Sequence, residues 1–233
     1  MKILAIETSC DILSVSLLED NNLILELKES SPKSHSETLM PLIDKLLKDT
    51  DTSLDDISLF ACDNGPGSFT GIRIGLSTVK ALCDIKEKPC TSVSSLEALA
   101  YTCKEEDALI CSMIDAKHSN IYAGIFEFKN GNYSKLKDFT FCNISDFLEA
   151  LGSLKKKIFF VGNCGILYKD VIKSYLKYEV CFLDDSFPTS KYVGISAFDK
   201  YNAGSFSDSL SLSALYLKNS SAEDNNLKYV ENK

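Results

Sequence analysis

The strongest constraint on the fold of this chain is a glycine-rich turn at residues 63–75. It holds four glycines and the only arginine of the protein: Gly65, Gly67, Gly71, Gly75 and Arg73. A buried-strand pattern at 57–62 precedes the turn, and apolar residues at helical spacing follow it at 72–82. Because a glycine in a regular element costs about 0.5–1 kcal/mol relative to alanine, this pattern predicts a strand-to-helix turn that another group approaches closely.

Two explanations of the glycines follow from physical principles. Free backbone N–H groups at the start of the helix could bind an anion. However, no lysine follows a glycine at P-loop spacing, and Thr70 replaces the third glycine of the dinucleotide motif. Alternatively, Gly71 and Gly75 share a helix face, where another backbone can pack closely. The residues alone leave open whether that backbone belongs to a partner protein or to the chain's own sheet.

Periodic apolar residues predict the remaining elements of the first half. Alternation indicates three antiparallel strands at 3–7, 12–18 and 23–27. The capping box Ser34-x-x-Glu37 predicts the start of a helix. Its apolar stripe consists of Leu39, Leu42, Ile43, Leu46 and Leu47. The strand before the glycines, a second helix after them and a short third helix at 94–103 follow.

The second half repeats this order in weaker form. Predicted strands lie at 109–114, 120–128, 133–141 and 157–161, and predicted helices lie at 144–151 and after Gly165. Three strands followed by alternating helices and strands, occurring twice, indicate an α/β protein with two lobes. The expected division is an N-terminal lobe at 1–104, a C-terminal lobe at 105–218 whose last helix is free to pack back on the first, and a mobile polar tail at 219–233.

Composition restricts the classes of function. A net charge of −8 over 233 residues argues against a protein that grips nucleic acid by itself. The lysines at 155–157 are interpreted as a solvated loop before a buried strand. Nine cysteines without a Cys-x2-Cys pair are expected to be reduced, with Cys62 and Cys111 in the core. No apolar run approaches the roughly 20 residues of a membrane span, so a soluble, cytoplasmic protein is expected.

The glycine turn also resembles the signature of the TsaB family of bacterial tRNA threonylcarbamoyladenosine biosynthesis. Four other segments stand in that family's order: 3–9, 34–37, 113–117 and 215–218. The resemblance is dense over residues 1–125 and thin afterward. It implies duplicated lobes of the actin-like, sugar-kinase and Hsp70-like (ribonuclease H-like) architecture.

Catalysis is disfavoured by what the chain lacks at positions used by active relatives. Superfamily members hold ATP phosphates with a hairpin that carries an acidic residue and a glycine, whereas 7–11 here contains carboxylates but no glycine. We interpret it as a strand-end turn that caps local N–H groups. In the metal-binding His-x-Glu-Gly-His segment of TsaD-type relatives, only Glu97 is retained. His35 is expected at the surface, and no partner for Asp115 is identifiable.

The resemblance therefore implies a non-catalytic scaffold and dimerisation subunit without catalytic, metal or cofactor residues. It implies binding and activation of a TsaD-type catalytic subunit, joined by a TsaE-type ATPase, and homodimerisation when alone. The complex would add a threonylcarbamoyl group to the adenosine 3′ of the anticodon in ANN-reading tRNAs, which this subunit would contact only indirectly. A nucleotide-binding kinase or ATPase of the same fold and a metallopeptidase stay as alternatives.

The implied interface lies on the first two long helices. Its expected residues are Leu39, Met40, Ile43, Gly71, Ile74, Gly75 and Thr78. The small residues would admit a partner backbone, and Met40 and Ile74 would offer apolar area.

Overall fold

The computed structural model describes residues 1–30, 35–184 and 186–218 of the chain. The elements of the first half are β1 (Lys2–Glu7), β2 (Leu13–Glu19), β3 (Asn22–Glu29), α1 (His35–Asp49), β4 (Ile57–Asp63), α2 (Phe69–Lys86), β5 (Cys90–Val93) and α3 (Ser95–Ala100). Those of the second half are β6 (Leu109–Asp115), β7 (Asn120–Lys129), β8 (Asn132–Lys135), β9 (Thr140–Asn143), α4 (Ile144–Gly152), β10 (Ile158–Val161), α5 (Asn163–Leu167), α6 (Lys169–Tyr175), β11 (Val180–Phe182) and α7 (Ser190–Asn202).

Two sheets of the same topology form the framework. The first has the strand order β3-β2-β1-β4-β5, and the second has the order β11-β10-β6-β7-β8, with β9 paired to the remaining length of β7. In each sheet an antiparallel meander supplies the first strands, and two further strands add in parallel. The expected fold class of two duplicated α/β lobes is confirmed.

The central strand β1 is buried on both faces, and its side chains alternate between two hydrophobic clusters. Leu4 and Ile6 pack with the apolar faces of α1 and α2. Ile3 and Ala5 point to the opposite face, where they pack with Val193 of α7. Residues from near the end of the described chain therefore complete the core of the first lobe.

The second sheet is covered in the same way. Helices α4, α5 and α6 pack on one face around Phe160 and Leu148, which are fully buried. Helix α3 packs on the other face through Leu99 and Ala100, while its neighbour Ala98 belongs to the first lobe's cluster with α7. The short helix α3 thus contacts both lobes.

Most predicted elements are present, and two are corrected. The single strand expected at 133–141 is wrong. Two separate strands, β8 and β9, pair there with different stretches of the long β7. The helix expected after Gly165 is two helices, α5 and α6, and α5 begins before that glycine. The capping residue Ser34 lies outside the described residues, so the predicted box is left without a structural account.

Other features of the described chain agree with the sequence. Cys62 and Cys111 are fully buried, and the cysteines are all free thiols. The lysine run precedes β10, and two of its side chains form exposed ion pairs, Lys156 with Glu127 and Lys157 with Glu179. Within the described residues, no helix combines the length and the apolarity that crossing a bilayer requires.

Replacing Val193 with alanine should destabilise the first lobe. The side chain is completely buried between α7 and the first sheet. Its loss should lower the free energy of unfolding by about 2 kcal/mol, from lost burial and the cavity left behind. Urea denaturation measures the change. Asn202→Ala, at the exposed end of α7, serves as the control and should stay within about 0.5 kcal/mol of the parent; equal effects would contradict the packing.

Candidate functional site

The glycines of the turn fit against the chain's own β1–β2 turn. A Cβ atom on Gly71 would overlap the carbonyl oxygen of Thr8, one on Gly67 would overlap that of Ser9, and one on Gly75 would meet the Thr8 hydroxyl. The Thr8 Oγ1 also donates a 2.8 Å hydrogen bond to the carbonyl of Gly71. The backbone that packs closely on the glycine face of α2 therefore belongs to the chain's own lobe. The sequence had left open whether it belongs to this lobe or to a partner protein.

Three backbone donors of the turn are engaged within the lobe. The Gly65 N–H donates to Asp63 Oδ1 at 2.6 Å, the Ser68 N–H donates to the Ser9 carbonyl at 2.7 Å, and the Gly71 N–H donates to Ser68 Oγ at 3.2 Å. An incoming phosphate would have to break these bonds. The local geometry therefore disfavours the anion-binding explanation of the glycines.

A buried pair of carboxyl groups lies beneath this contact, where the parallel strands β1 and β4 end. Glu7 Oε1 accepts hydrogen bonds from the Ser9 N–H (2.6 Å) and the Ser9 hydroxyl (2.7 Å). Asp63 Oδ1 accepts from Ser95 Oγ at 2.9 Å, and the two serine hydroxyls lie 3.1 Å apart. The cluster ties the β1–β2 turn, the glycine turn and the start of α3 together.

The second oxygens of this pair, Glu7 Oε2 and Asp63 Oδ2, are buried without another hydrogen-bond partner. Two ionised carboxylates can only accept, so the pair is satisfied when one group carries a proton and donates it to the other. Burial, and then the neighbouring Asp63 carboxylate, raise the pKa of Glu7 well above its usual value of 4.5. Burial raises the pKa of Asp63 to about 6, against partial lowering by its hydrogen bonds.

The sequence analysis placed Glu7 in a strand-end turn but missed its pairing with Asp63. The interpretation of that turn as capping local N–H groups is confirmed by the bond from the Ser9 N–H. A signal for the pair was available, because both acids end parallel strands and such strand ends meet at one sheet edge.

A small cavity lies between the two lobes, above the β1–β2 turn. It has a volume of about 40 Å³, enough for a few water molecules at most. Its walls include Ser9, Cys10, Pro66, Leu99, Phe187 and Pro188. Small-molecule sites typically measure about 300–1,000 Å³, so a nucleotide does not fit this cavity above the β1–β2 turn.

Glu97, which aligns with the metal motif of TsaD-type relatives, makes structural contacts within the chain. Glu97 accepts a hydrogen bond from Ser196 Oγ at 2.7 Å and forms a 2.9 Å ion pair with Lys200, both on α7. Ser95 and Leu99 stand where the two histidines would be; Ser95 donates to Asp63, and Leu99 is buried in the core. Among the described residues, no cluster of histidine, cysteine or acidic side chains has the arrangement of a metal site.

The two remaining polar candidates also have local partners. His35 Nε2 lies 2.9 Å from the carbonyl oxygen of Cys10, which links the start of α1 to the β1–β2 turn. Asp115 forms a 2.8 Å ion pair with Lys117 and accepts that residue's N–H. Partial burial of Asp115 opposes ionisation, but the Lys117 contacts outweigh it and lower the carboxyl pKa.

The residues expected at a partner interface are divided between core and surface. Leu39 and Ile43 of α1 are 1% and 2% exposed and belong to the core, as the buried Gly71 and Gly75 belong to the contact with Thr8. Three of the expected interface residues are accessible: Met40 is 49% exposed, and Ile74 and Thr78 are partly exposed.

Sequence reasoning missed an aromatic cluster on the exposed face of α2. Phe69 and Tyr216 stack with ring centroids 4.9 Å apart, and the Arg73 guanidinium lies 3.9 Å from the Phe69 centroid. Arg73 Nε donates to the Tyr216 hydroxyl at 3.1 Å. Both Arg73 and the 215–218 segment stood out in the sequence, but 143 residues separate Arg73 from Tyr216, so no local pattern joins them.

The sequence is similar to those of known proteins. The chain matches the sequence model of the family TsaD, tRNA N6-adenosine threonylcarbamoyltransferase, over residues 27–195. It is 35% identical over 176 residues to the tRNA threonylcarbamoyladenosine biosynthesis protein TsaB of Bacillus subtilis (strain 168), covering 76% of this chain and 77% of that protein.

Solved structures share the fold at low sequence identity. YeaZ from Pseudomonas aeruginosa has a TM-score of 0.76 at 22% identity, covering 93% of this chain and 99% of that one. The ROK hexokinase of Thermus thermophilus has a TM-score of 0.54 at 11% identity, covering 88% of this chain and 100% of that one.

The two-lobed topology defines an α/β protein with the fold that the YeaZ structure and the sugar kinase share. Within that class, the matched sequence model and the Bacillus relative identify a narrower group. The chain belongs to the TsaB (YeaZ-like) family, as the resemblance of its glycine turn predicted.

Replacing Gly71 with alanine should strain the contact between α2 and the β1–β2 turn. The new methyl group would overlap the Thr8 carbonyl, which is backbone and cannot rotate away. We expect the free energy of unfolding to fall by about 1–3 kcal/mol, measured by urea denaturation. Gly152→Ala is the matched control, since the added Cβ would meet only Leu176 at 4.0 Å. A loss no larger than that of the control would contradict the close approach.

The acid pair should make stability fall as pH rises. Between the usual aspartate pKa of 3.8 and the folded value of about 6, the folded state keeps a proton that the unfolded chain releases. The free energy of unfolding therefore decreases across this window. Because burial raises the pKa of Glu7 well above its usual value, the decrease continues to higher pH. Urea denaturation from pH 4 to pH 8 measures it.

Glu7→Gln should remove much of this dependence. The amide can donate to Asp63 Oδ2 without needing a proton, while its oxygen still accepts from Ser9. At pH 7 the variant should be more stable than the parent, by about 1.4 kcal/mol for each unit of pKa shift it removes. Asp138→Asn, at a side chain that is 99% exposed, is the control and should keep the parental slope. An unchanged slope in Glu7→Gln would exclude the shared proton.

Proposed function

We propose that this chain is a non-catalytic subunit in the biosynthesis of threonylcarbamoyladenosine in tRNA, and that it docks a TsaD-type catalytic subunit through α1 and α2. The observation that carries the proposal is the small cavity above the β1–β2 turn, with about 40 Å³ beside the hairpin that active relatives of this fold use to hold ATP phosphates. Without room for a nucleotide at that hairpin, the chain is expected to act through its outer surface.

The surroundings of the cleft support a subunit without chemistry of its own. Three donors of the glycine turn are bonded to Asp63, Ser9 and Ser68, and Glu97 is bonded to α7. The acid pair is buried and shares its hydrogen bonds with serines of the same lobe. A group that reacts with substrate needs access to it, and this cluster has none.

The outer face of α1 and α2 supports the docking role. Met40 and Phe69 are about half exposed there, at 49% and 40%. Exposed apolar and aromatic side chains on a helical surface are typical of interface cores. In the absence of the catalytic subunit, the same face would pair with a second copy of the chain. A TsaE-type ATPase would join the complex, and the tRNA with its ANN-reading anticodon would contact this subunit only indirectly.

Mixing this chain with the TsaD-type protein of the same organism should give a stable complex by size-exclusion chromatography. Met40→Glu and Thr78→Glu should each weaken binding at least about tenfold by calorimetric titration, because each introduces a charge that the interface must desolvate. Ile166→Glu, at a side chain that is 42% exposed on the C-terminal lobe, should bind as the parent does.

Two results would contradict the proposal. One is the absence of a complex with the parental chain. The other is turnover of ATP, peptide or threonylcarbamoyl donor by the purified chain alone, which would require an open cleft. If the complex forms but both charged variants bind normally, the docking face lies elsewhere on the molecule.

A further inference from the structure

An exposed platform of three side chains lies at the start of α2. In this aromatic platform Phe69 contacts both the Tyr216 ring and the guanidinium of Arg73, at 4.9 and 3.9 Å between centres. Phe69 and Tyr216 remain 40% and 45% exposed, and Arg73 is exposed as well. The only arginine of the protein thus lies over an aromatic ring at the surface.

Tyr216 is held in place by the segment that carries it. The Leu215 N–H donates to the Asn64 carbonyl at 2.8 Å, and Asn64 Nδ2 donates to the Ser213 carbonyl at 3.1 Å. The Tyr216 hydroxyl then accepts the Arg73 Nε–H at 3.1 Å. Because these contacts already restrict the long arginine side chain, little rotamer entropy is left to lose on binding.

The guanidinium has no acidic partner on its own chain. Within the described residues, the ion pairs involve only lysines and the N-terminal ammonium group. Nε of Arg73 is bonded to Tyr216 and its guanidinium carbon lies over Phe69, so the two terminal amino groups form a planar fork without an acidic partner among the described residues. Such a fork matches the two oxygens of a carboxylate.

A cavity of about 430 Å³ adjoins the platform and gives a partner side chain room beside it. Its walls are mainly apolar and aromatic and include Ile72, Tyr122 and Leu217. An aromatic and arginine cluster next to an apolar recess has the composition of an interface hot spot. The platform is also continuous along α2 with Ile74 and Thr78, the accessible residues of the proposed docking face.

We propose that Arg73 anchors an aspartate or glutamate side chain of the catalytic subunit, bound in a two-oxygen contact on the aromatic platform. This inference rests on the proposed function and names the chemistry of its interface. An isolated cation on a chain of net charge −8 pairs readily with a single carboxylate, whereas an RNA backbone needs several clustered cations. Arg73 and the carboxylate would set the orientation of the two subunits, with Tyr216 as the positioning residue.

The test is a titration of the TsaD-type subunit with the parental chain and the variants Arg73→Met, Arg73→Lys and Tyr216→Phe. Arg73→Met should weaken binding at least about tenfold, and Arg73→Lys should recover only part of the loss because lysine lacks the fork. Tyr216→Phe keeps the ring but removes the hydroxyl, and should weaken binding about two- to fivefold. Lys177→Ala, an exposed cation on the C-terminal lobe, should bind as the parent does.

Salt dependence and charge exchange complete the test. The parental affinity should fall more steeply with salt than that of Arg73→Met. Arg73→Glu should abolish binding, and substituting one acidic residue of the catalytic subunit by arginine should restore it. Thermal melts of each variant should match the parent, since a change confined to the exposed platform leaves the core intact.

The outcomes separate the two proposals. If the parental chain binds and Arg73→Met binds equally well, the anchor is excluded while the proposed function stands. If the parental chain does not bind the TsaD-type protein, the proposed function fails and the anchor with it. If Arg73→Met weakens binding of tRNA but leaves binding of the protein unchanged, the fork recognises phosphate and the carboxylate inference is overturned.

Discussion

Thr8 and Ser9, at the end of β1, lie directly against the glycines that begin α2, and much of the first lobe depends on this contact. Two carbonyl groups occupy the space that side chains would fill, so the helix comes close enough to receive a hydrogen bond from Thr8. The buried Glu7 and Asp63 lie beneath it and are tied by serines to three elements at once. The close contact between the two backbones, together with the serine hydrogen bonds, therefore holds the strand ends, the glycine turn and α3 in one arrangement.

That arrangement has a functional consequence. The same close packing that seats α2 engages three backbone donors of the glycine turn, and Phe187 and Pro188 line the small cavity above the β1–β2 turn. With little room at that turn, the surfaces considered for recognition are α1, the outer face of α2 and residues 215–218. The aromatic platform combines two of these elements, and neither alone would hold the arginine in a fixed orientation.

The sequence predicted local structure well and long-range structure poorly. The alternation of 3–7, the stripe of α1 and the turn at 63–75 all predicted the correct elements, because each pattern is contained in a few neighbouring residues. Short strands such as Cys90–Val93 and Val180–Phe182 were missed, since three or four residues carry too little periodicity. The split of the strand expected at 133–141 depends on which part of β7 each half meets, and no pattern within those residues records it.

For the site, the sequence by itself determined the type of turn, the absence of metal-binding histidines from the third helix and the presence of a single arginine in an acidic chain. Those are properties of residue identity and spacing along the chain. Only the tertiary structure decided that the glycines face Thr8, that Glu7 meets Asp63 and that Tyr216 stacks over Phe69. These contacts join residues 56 to 147 positions apart, and their geometry is set by the packing of two sheets and the helices between them.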